Sequence, residues 1–87
     1  MSDRPYAVEF TSSARKQLKR LDRAVQQRVL KAAALLANHP RPPAARRLTS
    51  SNELWRVRLG DYRIVYSIDE ERVVVVVVRV GHRPTVY

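Results

Sequence analysis

The chain contains no cysteine, so neither a disulfide framework nor a thiolate metal site holds it together. Glycine is nearly absent, at two residues, and no Gly-rich phosphate loop, metal-ligand spacing, internal repeat or low-complexity tract is found. The longest apolar run, Val73–Val78, is far too short to cross a bilayer. The N-terminal MSDRPYAVEF carries Asp3 and Glu9 and lacks the apolar region of a signal peptide. These absences point to a cytoplasmic protein without membrane contact, cofactor or metal. Acidic residues are also scarce, at eight against seventeen Lys and Arg. The resulting +9 falls on only 87 residues, and fourteen of the basic residues are Arg. Arg presents a planar fork that matches phosphate oxygens and stacks on bases. The balance therefore favours a polyanionic partner, nucleic acid first. A soluble protein that is merely basic is the plainer alternative.

What is present is enough for one domain over residues 1–87. The apolar fraction of 45% is ordinary for a globular chain. Tyr6–Phe10 alternates loosely and predicts a first strand. Thr11, Ser12 and Ser13 each offer a hydroxyl to cap the next element, a helix. Ala14, Leu18 and Leu21 make its apolar stripe, with Arg15, Lys16, Lys19 and Arg20 on its solvated side. Asp22 is placed to cap a second helix running to about Asn38. Val25, Val29, Leu30, Ala33 and Leu36 predict a broad apolar face turned to a sheet. His39-Pro40 ends this helix. His39 itself is read as a favourable helix-terminal charge rather than a catalyst. The proline-rich PRPPAA of Pro40–Ala45 and the polar Thr49–Asn52 flank Arg46-Arg47-Leu48. The whole reads as a surface loop bringing basic residues to the sheet edge.

The centre of the chain is Leu54–Tyr66, LWRVRLGDYRIVY, two strands joined at Gly60-Asp61. Strand side chains alternate faces. Arg56 and Arg58 thus share one face, opposite Trp55, Val57 and Leu59. In the second strand Arg63, Val65 and Ser67 oppose Tyr62, Ile64, Tyr66 and Ile68. An acidic turn, Asp69-Glu70-Glu71, leads to the valine-dominated Arg72–Val80, expected to be a central strand covered by helices on at least one face. Arg79 has the parity of Val75 and Val77, and its face depends on register. Gly81–Tyr87 leaves that strand and adds an optional last one. The order is β-α-α-β-β-β, an α+β fold with an αα-hairpin on one face of a mostly antiparallel sheet of four to five strands. Arg56, Arg58 and Arg63 are expected on the open face.

These pieces, taken in order, resemble the RelE-type toxins of bacterial type II toxin–antitoxin modules, within the RelE/ParE superfamily. YAVEFTSSA running into Lys16-Gln17-Leu18, LANHPRPPAARRL, LWRVRLGDYRIVYSID, the valine strand and VGHRPTVY carry the likeness over essentially the whole chain. The resemblance implies a RelE-like, microbial-RNase-like fold. It also implies a toxin that enters the ribosomal A site and cleaves mRNA without metal, by attack of a ribose 2′-OH on the neighbouring phosphate. Translation and growth are then inhibited. Implied partners are a cognate antitoxin, the 70S ribosome with its mRNA, and operator DNA reached through the antitoxin.

Carried over by position, the resemblance implies catalytic roles for Arg56, Arg58, Arg63, Arg83 and Tyr87, the tyrosine packing against substrate. For the arginines, plain phosphate or antitoxin binding is the alternative; for Tyr87, closing the core. Arg46, Arg47 and Arg79 are read as RNA-binding. This chain departs from the best-understood pattern in having Arg, not Lys, at both first-strand positions. A guanidinium, with a pKa above ~12, is a poor base, so Arg56, Arg58 and Arg63 are assigned to charge stabilisation. His82 is the titratable side chain left nearby, and it is read either as an acid or base or as a phosphate-contacting or turn-forming residue. ParE-like relatives share the fold but poison DNA gyrase, which is the alternative activity. An inactive member kept for antitoxin and operator binding is a third.

Overall fold

A computed structural model describes residues 5–48 and 53–82. Seven elements occur in the order β1 (Ala7–Phe10), α1 (Ser12–Lys19), α2 (Arg23–Asn38), β2 (Arg46–Arg47), β3 (Trp55–Leu59), β4 (Tyr62–Asp69) and β5 (Val74–His82). The five strands form one sheet in the order β1-β5-β4-β3-β2. β1 runs parallel to β5 and every other pair is antiparallel.

Local chemistry sets the helix ends. Of the three candidate hydroxyls, Thr11 caps α1, its Oγ1 accepting from the Ala14 N–H at 3.1 Å. Asp22 sits at the N-cap of α2, but its side chain makes no capping bond. Gln26 ties the α1–α2 link instead, its amide donating to the Leu21 carbonyl at 2.8 Å.

The α1 stripe packs as its spacing predicts, with Ala14 buried and Leu18 and Leu21 against the core. On α2 the buried residues are Val29, Ala33 and Leu36, supported by Val25 and Ala32. Leu30 departs from expectation and is 43% exposed. The sheet meets a narrower stripe of α2 than a five-residue face requires. The sheet supplies Ile64, Tyr66, Val75, Val77 and Val80 to the same core.

Two segments differ from the sequence reading. Arg46–Arg47 is a short edge strand rather than loop, paired with Arg56 and Trp55. The valine strand starts at Val74, because Val73 takes a left-handed φ of 58°. Ahead of it, the Arg72 N–H closes a turn onto the Asp69 carboxylate at 3.0 Å. The optional last strand, with Arg83 and Tyr87, lies outside the described residues.

Candidate nucleic-acid interface

Residues directly opposed across an antiparallel ladder share a face, with Cβ atoms about 5 Å apart. Arg58 opposes Arg63, Arg56 opposes Val65, and Arg46 opposes Arg56. Arg46, Arg56, Arg58 and Arg63 therefore stand on one face across three strands. The helices cover the other face, where Val57, Ile64 and Tyr66 enter the core.

β5 adds a fourth strand to this face through an irregularity. Its ladder with β4 pairs Val65 with Arg79 and then Tyr66 with Val77. Val78 is the extra residue, a β-bulge. The bulge reverses the parity of the residues beyond it, so Arg79 leaves the helix side used by Val75 and Val77 and joins the arginine face. Val80 takes the core position in its place. Helix α1 holds the bulge from behind. The Thr11 hydroxyl donates to the Val78 carbonyl at 3.4 Å, and the Val80 N–H donates to Gln17 Oε1 at 2.8 Å.

The four strands thus present a graded basic surface. Arg46, Arg58 and Arg79 are exposed, Arg56 is half-buried, and Arg63 is buried at 7% exposure. The sequence places Arg63 among open cations; the structure sets it into the sheet centre, between β3 and β5. Opposed like charges destabilise a ladder, so a row of this kind is poised for an anion. Arg46 Nη1 also donates to the Pro43 and Ala45 carbonyls at 2.8 and 2.9 Å, which fixes its guanidinium at the edge.

Two residues grouped with this site by sequence lie elsewhere. Arg47 opposes Trp55 and stacks on its ring at 5.3 Å, on the helix-side face. His82 opposes Tyr62 and meets it edge-on, ring centroids 5.4 Å apart. Tyr62 alternates with Arg63, so the His82 imidazole is carried on the parity opposite the arginine row. His82 closes strand β5, and its ring is set apart from the arginine row.

A second polar cluster closes the other end of the sheet, and sequence reasoning passed over it. Arg41 also stacks on Trp55, at 5.6 Å, and pairs with Glu70. Glu70 accepts from the Tyr6 hydroxyl as well. That bond, and the one from Arg41, hold the Glu70 carboxyl below its ordinary pKa. The same carboxylate, followed by partial desolvation, pushes the Tyr6 hydroxyl up. Tyr66 anchors the start of the connector, its hydroxyl donating to the Pro40 carbonyl at 2.6 Å. Burial pushes the Tyr66 pKa up to about 12. The bonds joining residues 6, 41 and 70 are too distant in sequence to carry a signal there. Among the described residues, no group of His, Asp and Glu is arranged to hold a metal ion. Nor is any helix long and apolar enough to cross a membrane.

Two helices packed on one side of a mixed five-stranded sheet match the fold of solved RelE-type toxins. Residues 8–87 match the family described as ParE toxin of the type II toxin–antitoxin system parDE, and the chain belongs to this RelE/ParE toxin family. Among its relatives is Toxin RelG of Mycobacterium tuberculosis, 36% identical over 95% of this chain and 97% of the relative. A putative RelE-like toxin protein of Escherichia coli is 31% identical over 90% of this chain and 83% of that one. The toxin in a toxin–antitoxin complex from M. tuberculosis superposes with a TM-score of 0.81 at 34% identity, covering 91% of this chain and 92% of that one. Isolated E. coli RelE superposes at 0.77 and 29%, covering 88% and 83%. The protein is a toxin of a toxin–antitoxin module.

Proposed function

We propose that this toxin is a ribosome-dependent, metal-independent endoribonuclease that cleaves mRNA in the A site. The supporting observation is the row of arginines that crosses β2 to β5 on the face free of helices. In the proposed reaction the 2′-oxygen bonds to the adjacent phosphorus and gives up its proton. The bond to the 5′-oxygen breaks, and that oxygen gains a proton. The products are a 2′,3′-cyclic phosphate and a 5′-hydroxyl. Charge builds on the non-bridging oxygens at the phosphorane, and fixed guanidinium groups aimed there lower the barrier. Arg58 and Arg63 are assigned to that charge, flanked by Arg56 and Arg79, with Arg46 on the RNA backbone. Arg83 and Tyr87, by family resemblance, complete the site.

A cognate antitoxin restrains the toxin in this reading, as RelB accompanies RelE in the complexes from E. coli and Pyrococcus horikoshii. The antitoxin also links the complex to operator DNA, and the site of action is the cytoplasm. The ParE description of the matched family favours a second reading, inhibition of DNA gyrase by a basic protein-binding face. One experiment separates the two. The toxin is induced and mRNA 5′ ends are mapped, with a purified reaction run with and without ribosomes. New 5′-hydroxyl ends within codons, dependent on ribosomes, support the nuclease. Intact messages with gyrase-linked DNA breaks support the other.

A further inference from the structure

Gly81 stands inside β5 and pairs with Arg63 across the ladder to β4. A glycine within a strand weakens it, having no side chain to pack and more freedom to lose. The backbone does not ask for one here. Among the described residues the glycine with a positive φ is Gly60, so Gly81 holds an extended conformation open to any residue. Nor does the bulge need it, because the extra residue there is Val78, three positions earlier. A glycine in such a place often marks the close approach of a ligand.

The surroundings of Gly81 say what that ligand is. The bulge that turns Arg79 to the helix-free face turns Gly81 there too, two residues on. Arg63 is therefore flanked unequally on this face. On the β3 side it is opposed by Arg58. On the β5 side it is opposed by a position that carries no side chain of its own. Arg56 and Arg79, both opposed to Val65, take the diagonal positions, about 7–8 Å away and within reach of a long side chain. Four arginines thus border one gap, and the gap lies beside the most buried of them, Arg63. The tetrahedral oxygens of a phosphodiester, which accept bonds from several sides, suit such a seat.

We propose that Gly81 is a specificity-determining residue: by carrying no side chain it leaves a notch beside Arg63 in which a single phosphodiester group of RNA seats. This rests on the reading of the arginine row as the RNA-binding face, and not on the cleavage step. A Cβ at position 81 would project from that same face into the notch. Alanine fills part of it, and valine, branched at Cβ, fills more. Valine is also a far better strand former than glycine, so one substitution strengthens β5 while closing the seat. Stability and RNA binding then move in opposite directions, which a glycine kept only for folding does not allow.

The test uses the full chain with Gly81→Ala, Gly81→Val and, as a control, Ser67→Val. Ser67 lies on the same face but pairs with Val76, away from Arg63. The probe is a single-stranded RNA oligonucleotide with 2′-O-methyl riboses, which cannot be cut by 2′-OH attack. Its affinity is measured across a range of salt, with urea denaturation run beside it. For Gly81→Val the expected result is a urea midpoint at or above wild type, binding about tenfold weaker, and a slope of log affinity against log salt shallower by about 0.7, the worth of one phosphate on a single strand. Gly81→Ala falls between wild type and Gly81→Val, and Ser67→Val keeps the wild-type slope. An unchanged slope in both Gly81 variants overturns the notch. So does a lowered midpoint in both, which makes Gly81 a packing requirement. Wild-type binding that ignores salt overturns the RNA face and the notch with it. Wild-type toxin that binds the probe but cuts no ribosome-bound mRNA overturns the nuclease reading alone, and the slope of Gly81→Val still decides the notch.

Discussion

Arg58 and Arg63 face each other directly across the β3–β4 ladder, one open to solvent and the other 7% exposed. The pair sets an exposed cation beside a buried one. Removing a charged group that bears on a transition state costs about 1.5–3 kcal/mol, or roughly 10–100-fold in rate. Arg58→Ala is therefore expected to slow cleavage of ribosome-bound mRNA by that factor. Arg63→Lys is expected to do so too, because an ammonium cannot reproduce the buried planar fork. Arg47→Ala, turned onto Trp55, should stay within about threefold of wild type. Single-turnover cleavage of a programmed ribosome measures all three, and equal loss at Arg47 would remove the distinction between the faces.

The placement of His82 gives a separate expectation. Its ring packs on Tyr62, on the parity away from Arg63. His82→Gln should leave the cleavage rate within about threefold and its pH profile unchanged in shape. A fall of about a hundredfold, or loss of one limb of the pH–rate profile, would return His82 to the chemistry as an acid or base.

The bulge at Val78 depends on Gln17. The side-chain oxygen of Gln17 takes the Val80 N–H, at a part-buried position. Gln17→Ala is expected to destabilise the fold by about 1–2 kcal/mol through that stranded donor. Gln17→Glu keeps an acceptor and should recover most of the loss. Urea denaturation of the two variants against wild type makes the comparison.

Val73 holds a φ of 58°, a conformation that a β-branched residue strongly disfavours. Asn tolerates it far better. Val73→Asn should raise stability by about 1 kcal/mol, read as a higher denaturation midpoint with an unchanged slope. A loss of stability would mean that the valine side chain contributes more by packing than the backbone gives up.

Tyr66 sets a limit at high pH. Its pKa stands at about 12 against an ordinary 10. A raised folded-state value favours the protonated form in the native protein, so the contribution to stability is whole below pH 10 and fades between pH 10 and 12. Tyr66→Phe should flatten that segment of the stability–pH curve. It should also lower stability at neutral pH by about 1 kcal/mol, through loss of the bond to Pro40.

Much of this could be read from residue order alone, because the signals are local. A proline after His39 stops α2, a hydroxyl before Ser12 starts α1, and period-two alternation puts Arg56 and Arg58 opposite Val57 whatever the sheet does. The family resemblance was legible for the same reason, as a series of short segments in fixed order. Arg79 was not legible. Its run of valines has no alternation to break, so nothing in the spacing betrays an extra residue at Val78. Leu30 is exposed against expectation because periodicity gives a helix an apolar side but not the width of the sheet it meets.

The amino-acid order settled the elements, the basic balance and the parity of the central hairpin, since each depends on neighbours a few residues apart. Folding decided what distance in the chain hides. It joined Arg79 to the arginine row through a bulge tied down by α1 and sank Arg63 while leaving Arg58 in solvent. It also turned Arg47 and His82 to the other side and left β3 open beyond Arg56. Each of these outcomes is set by how separate strands register against one another, and register is a property of pairs, which no single strand carries in its own residues.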